Sequence, residues 1–255
     1  QDVQEITGGN DTVGSGFFRD PNVRRAFAYA VPYDQFIKQA FSGHMVRMTC
    51  YHFPKMLGYD PSAPKFQHNP SKAEDLFKQA GVWQDGFRLT TYNQRVAGFR
   101  VLNLMMKDAL ESLNDRISIN VVQEPASVAT ERFTRDPPGM PLSYRGYLPQ
   151  GPDPDAYYRP IMHPDGAIAG RTKAVQYIDD RIPKFIDEGA QAGSTQGRES
   201  AYHRLQRLCF QDPAVIPIGT EEKMLAHLDC EEPGFNPAWS GRHFKYYDIS
   251  NCHIT

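Results

Sequence analysis

Tryptophan is nearly missing from this chain, cysteine is sparse, and no stretch stays apolar for long. Only two of the 255 residues are tryptophan and four are cysteine. Cys50, Cys209, Cys230 and Cys252 are scattered, and none belongs to a C-x-x-C pair. That spacing argues against a zinc ribbon or a thioredoxin-type redox site. No apolar run approaches the roughly 20 residues that a membrane-spanning helix needs. Basic charge is not in excess: 28 lysines and arginines stand against 30 acidic residues, for a net charge of −2. Nucleic acid is therefore a poor partner, because phosphate binding needs a basic face. Neither G-x-S-x-G nor H-E-x-x-H occurs, and no cysteine sits in a recognisable nucleophile setting. The first ten residues are polar and lack the apolar core of a secretory leader, so an exported protein would be seen here without it.

What is present suits a globular protein. The chain is 40% hydrophobic and 23% charged, enough for a sizeable core in one large domain or two modest ones. Residues 20–43, DPNVRRAFAYAVPYDQFIKQAFSG, read as two short helices joined at a proline. Asp20 stands at the N-cap and Pro21 at the first helical position. Val23, Ala26, Phe27 and Ala30 then share one face. Residues 69–87 repeat the wording: Asn69 caps, Pro70 opens, Ala73, Leu76, Phe77 and Ala80 form the stripe, and Gly81 is the stop.

Between these helices, residues 44–67 carry Pro54, Pro61 and Pro64 and read as an ordered loop. Strands are predicted over 88–93 and 117–123, with a long helix over 97–113 between them, its Phe99, Leu102, Met106, Leu110 and Leu113 on one side. A short helix follows over 127–133. An aromatic-rich strand is predicted over 142–148, then the turn-rich GPDPDAYY, where Asp153 is placed to cap a helix. Helices over 176–189 and 197–209, a buried strand over 212–219 and a further strand over 224–228 complete the reading. The alternation of helix and strand predicts an α/β domain, a mixed sheet with flanking helices.

An even cysteine count permits disulfides in an exported protein. Cys230 with Cys252 is the first candidate, since both lie in the loop-rich tail, and the alternative is small buried thiols. His44, Cys50 and His52 lie close together with His68 following, but their spacing matches no established ligand pattern. No metal and no cofactor is expected.

The capped helix pair, GYLPQGPDPDAYY at 146–158, the helix carrying Gln206, DPAVIPIG and the ending GFNPAWSGRHFKYYDIS together resemble the extracytoplasmic solute-binding proteins of peptide-type ABC importers, family 5. The likeness runs from about residue 20 to 250. It implies the second lobe of a periplasmic-binding-protein-like fold, class II and peptide-type. On it, residues 1–19 are the stump of the interlobe connection, 20–217 the ligand-binding lobe, and 218–255 a return toward a first lobe absent from this sequence. It implies a monomeric, non-enzymatic protein, periplasmic or at the cell surface and at most peripheral to the membrane. Its partners would be a peptide or related small solute and the permease subunits of an ABC transporter. The ligand would lie against Tyr144, Arg145, Gly146, Tyr147 and Leu148, with backbone pairing at Gly146 and Leu148 and Tyr147 as a flat wall. Family members often place an Asp four residues after the Gly, where it pairs with the ligand's α-ammonium group. Here that position is Gln150, which offers no charge, so Asp153 or another acid takes over or the ligand lacks a free α-amino terminus. The rivals are a hydrolase or metalloenzyme built on His44, Cys50 and His52, and a sensory or scaffold domain on the same fold.

Overall fold

A computed structural model describes residues 11–14, 16–134, 142–144, 146–147, 149, 151, 153–169 and 177–221. The Asp20 carboxylate accepts the Asn22 amide at 2.7 Å, and Pro21, with no amide hydrogen to leave unpaired, takes the first turn of α1 (Pro21–Ala30). Val23, Ala26, Phe27 and Ala30 are all buried. The chain breaks at Pro32 before α2 (Tyr33–Phe41), which ends at Ser42 in the left-handed region, φ 52°. After β1 (Met45–Val46) and a long loop, Asn69 caps α3 (Pro70–Gln79) by accepting the Lys72 amide at 2.9 Å.

β2 (Phe87–Gln94) and β3 (Ile117–Glu124) pair in parallel, from Phe87 opposite Ile117 to Gln94 opposite Glu124. Their crossover is α4 (Ala97–Glu111), which packs on β3. The turn into β2 requires glycine: Gly86 has φ +64°, and a Cβ there would sit 2.2 Å from the Arg116 carbonyl oxygen. Leu142 adds one parallel bridge to Thr91 on the other edge of β2. Further along lie α5 (Ala126–Thr134), α6 (Pro154–Met162), α7 (Arg181–Gln191) and α8 (Thr195–Gln211). β4 (Thr220–Glu221) closes an antiparallel pair with β1. The two strand orientations are thus split between two small sheets.

Three apolar cores hold these layers together. One lies between α1, α3 and the β2–β3 sheet, where the rings of Phe17, Phe18, Phe27, Phe77 and Phe87 meet edge-on or tilted. A second is built around Tyr33, Phe36, Phe66 and Leu102. The third joins α6, α7 and α8 through Tyr158, Met162, Ile182, Ile186, Tyr202 and Leu205, and it includes Cys50 from the loop after β1.

Several sequence expectations are corrected here. Of the strand expected over 142–148, the described residues 142–144 and 146–147 contribute only the bridge at Leu142. The Tyr144 amide donates to the Asn93 side-chain oxygen at 2.8 Å instead of to a strand carbonyl, which ends the ladder. The strand expected over 212–219 does not form: Pro213 and Pro217 have no amide hydrogen to donate, and pairing begins at Thr220. The helix expected over 176–189 starts at Arg181, after turn residues Asp179 and Asp180. β1 lies inside the stretch read as a loop. The strand expected over 224–228 lies outside the described residues, as do Cys230 and Cys252.

Within the stretch 1–19 read as a tether, the described residues pack on the domain. Asp11 is buried, and its carboxylate accepts the Thr90 amide at 2.8 Å and the Thr90 hydroxyl at 2.6 Å. Val13 enters the first core. Arg24 then ties this end to the far one. It donates to the Phe18 and Arg19 carbonyls at 2.5 and 2.8 Å and to the Pro213 carbonyl at 3.0 Å, and it pairs with Asp212.

Candidate functional site

The three parallel segments fix where a ligand can approach. β2, β3 and Leu142 run in one direction, so residues 143 and 144 leave the sheet at its carboxyl end. Open α/β sheets bind ligands outside that end, because loops and free backbone groups gather there. Tyr144 is held at this rim by its amide bond to Asn93, and its ring meets Phe99 edge-on at 4.6 Å and Phe36 at 6.3 Å. Burial pushes its phenol up to about 12, with the Glu221 carboxylate adding to the shift, so the hydroxyl stays neutral at any physiological pH. Gly146 is exposed, and Phe99 lies 3.8 Å from where its Cβ would be.

Tyr147 is half-buried. Its hydroxyl donates to the Ala156 carbonyl in α6 at 2.9 Å, and its ring lies 6.5 Å from Tyr51. Tyr51 in turn packs edge-on to Tyr158 at 5.9 Å. A line of aromatic rings therefore runs from the rim into the third core. Arg145, Leu148 and Gln150 lie outside the described residues.

Asp153 has its carboxylate occupied. It caps α6 by accepting the Asp155 amide at 2.9 Å, and Arg198 of α8 donates to both its oxygens at 2.8 and 2.7 Å. Both bonds come from Arg198 Nη2, and this charge-assisted pair makes Asp153, whose side chain is still 48% exposed, a corner of the turn already paired with a cation.

Asn93, Phe99, Tyr51 and Arg198 are the residues that sequence reasoning missed. Each acts across a long separation, as Arg198 does on Asp153 at 45 residues and Asn93 on Tyr144 at 51, so no local pattern could have marked them.

The histidines do not converge. His52 is buried, and its Nε2–H donates to the Leu57 carbonyl at 3.0 Å while Nδ1 accepts from the Tyr158 hydroxyl at 2.6 Å. The carbonyl can only accept, which fixes this tautomer. His68 contacts the Ala30 carbonyl at 3.1 Å. Among the described residues no group of three histidine, cysteine or acidic side chains could hold a metal ion, so nothing there supports the metalloenzyme alternative built on His44, Cys50 and His52. An open depression of about 330 Å³ lined by Trp83, Leu113 and Arg116 lies at the opposite, amino ends of the strands, away from this rim.

The lobe thus presents an aromatic rim at the carboxyl end of a parallel sheet. The chain belongs to the bacterial extracellular solute-binding proteins, family 5 Middle, whose model matches residues 9–168, more than half of its length. It is similar to the glutathione-binding protein GsiB of Salmonella paratyphi A, at 23% identity over 214 residues, covering 82% of this chain and 41% of the relative. The fold is shared with the periplasmic binding protein DppA of Helicobacter pylori, solved with the peptide STSA, at TM-score 0.69 and 21% identity, covering 80% of this chain and 39% of that one. It is shared too with a dipeptide-binding protein of Pseudoalteromonas sp. SM9913, solved with Met-Leu, at TM-score 0.69 and 17% identity, covering 79% and 40%. The chain thus spans about 41% of the length of the curated relative it matches.

Proposed function

We propose that this chain is the solute-contacting lobe of the substrate-binding component of an ABC importer, taking up peptides or a related small solute outside the cytoplasmic membrane. The observation that carries the reading is family membership across residues 9–168, a span that includes the aromatic rim. The ligands for which the relatives are named or with which they were solved, glutathione for GsiB and peptides for DppA and the Pseudoalteromonas protein, point to short peptidic molecules. An extended peptide would lie along residues 144–148, pairing with backbone groups at Gly146 and Leu148, with Tyr147 as the flat wall. Backbone pairing tolerates many side chains, because every peptide carries the same N–H and C=O groups. A second lobe would close over the solute about a hinge, and the closed form would dock on the permease. The protein would do no chemistry on its cargo.

With Asp153 held by Arg198 and Gln150 uncharged, this lobe offers little at that turn to balance an α-ammonium group. Ligands with a blocked or modified amino end, or recognition of that end by the other lobe, fit best.

The test is native mass spectrometry of the full-length protein to identify what co-purifies, followed by calorimetry with that solute and with di- and tripeptides. Replacing Tyr147 by Ala is expected to weaken binding by roughly tenfold or more, the cost of losing an aromatic wall, while Tyr147→Phe keeps it. The reading is overturned by a full-length protein that binds no peptide or peptide-like solute, or by unchanged affinity in Tyr147→Ala.

A further inference from the structure

The loop after β1 folds back as a tight hairpin at Thr49–His52, closed by two backbone bonds of 2.9 Å between the Thr49 and His52 amides and carbonyls. Cys50 occupies the first corner with φ +54°, a conformation that glycine adopts freely and cysteine does not. The hairpin docks along one face of α8 at successive points. The His52 ring lies 5.3 Å from Tyr202, and the Thr49 hydroxyl donates to Gln206 Oε1 at 2.5 Å. Positions 202, 206 and 209 follow the i, i+4, i+7 pattern of a single helix face, so the next position on that face is Cys209. Cys50 and Cys209 are both free thiols in this structure, both are buried, and both belong to the third core, where burial first and the neighbouring Cys50 second raise the Cys209 thiol.

We propose that Cys50 and Cys209 form a disulfide in the mature protein, bracing the hairpin that carries Tyr51 against Tyr147. This rests on the reading that the protein works outside the cytoplasmic membrane, where disulfides persist. The chemistry is thiol–disulfide exchange. The two thiols give up two protons and two electrons and form one S–S bond, and an external disulfide accepts them and is released as two thiols.

Burial pushes the Cys209 thiol well up, so little reactive thiolate exists once the core has closed. The bond therefore forms during folding and is afterwards shielded. The pairing joins residues far apart in sequence, which leaves Cys230 and Cys252 to each other or free.

The full-length protein, unfolded and refolded in a cystine/cysteine buffer, is alkylated under denaturing conditions and digested without reductant. The expected product is the peptide carrying Cys50 joined to the peptide carrying Cys209, which separates on reduction. The native oxidised protein should resist dithiothreitol until it is unfolded. Reduction after unfolding, or the double variant Cys50→Ala/Cys209→Ala, should lower the melting temperature by roughly 5–15 °C. If the double variant does not fold, the peptide map of the unmodified protein still decides.

Alkylation of both cysteines, or linkage of either one to Cys230 or Cys252, overturns the proposal. Protein alkylated at cell lysis separates the two readings. A pair linked after refolding but free in the cell sinks the extracytoplasmic location and leaves the pairing standing.

Discussion

His52 lies in the core as a neutral imidazole, held between a hydroxyl that donates to it and a carbonyl that accepts from it. Burial is the main cause that lowers its basicity to about 4, helped by the nearby His203 and opposed by the bond to Leu57. Protonation would place a donor where Nδ1 must accept from Tyr158. In the unfolded chain the same group titrates near its ordinary value of 6.5. Between these two values the unfolded state binds more protons than the folded one, so stability falls as pH drops from about 6.5 toward 4 and is fully present above that window. The loss approaches about 3 kcal/mol by pH 4, since each tenfold difference in proton affinity between the two states is worth ~1.4 kcal/mol. Urea denaturation at pH 7, 6 and 5 should show this slope before most carboxylates titrate, and His52→Gln should flatten it. An equal slope in both proteins would mean that the imidazole is not held neutral.

Among elements, the loop between β1 and α3 shows how a proline-broken stretch is ordered without regular structure. Gln206, fully buried on α8, supplies the missing partners. Its Oε1 accepts the Asp60 amide at 3.1 Å and the Thr49 hydroxyl, and its Nε2 donates to the Gly58 carbonyl at 2.7 Å and the Tyr202 carbonyl at 2.9 Å. Each loop group would otherwise be buried and unpaired. Gln206→Ala is expected to cost about 2–4 kcal/mol, with the loss concentrated in the loop. Hydrogen exchange should show the Asp60 amide losing protection while β2 and β3 keep theirs. Uniform loss across the molecule would mean that the loop has no separate dependence on Gln206.

Across the whole molecule, the two ends of the described chain are joined at Arg24. Its side chain is 10% exposed and that of Asp212 is 16% exposed. Removing the guanidinium leaves a mostly buried carboxylate without its charge partner and strips donors from the Phe18, Arg19 and Pro213 carbonyls. Arg24→Ala should therefore destabilise by about 3–5 kcal/mol. It should do so cooperatively, because residues before α1 and after α8 lose their anchor together. A calorimetric transition that stays within about 1 kcal/mol of the parent would overturn this view of Arg24 as the clasp.

Local chemistry made much of the frame readable from sequence alone. Caps at Asp20, Asn69 and Asp153, prolines at first helical turns, the Gly81 stop and the faces of α1, α3 and α4 all follow from what one backbone segment can satisfy by itself. So do β2 and β3, whose side chains have a core to face. One failure came from a partner far along the chain, another from local proline chemistry. The strand expected at 142–148 stops because Asn93 takes the Tyr144 amide, and residues 212–219 stay irregular because proline has no hydrogen to share. At the candidate site, wording alone pointed to the rim at Tyr144–Tyr147. The occupation of Asp153 by Arg198, the ring of Tyr51 behind Tyr147 and the placing of Cys50 and Cys209 in one core needed the fold. Those contacts join residues from separate elements, and only tertiary packing brings such residues within reach of one another.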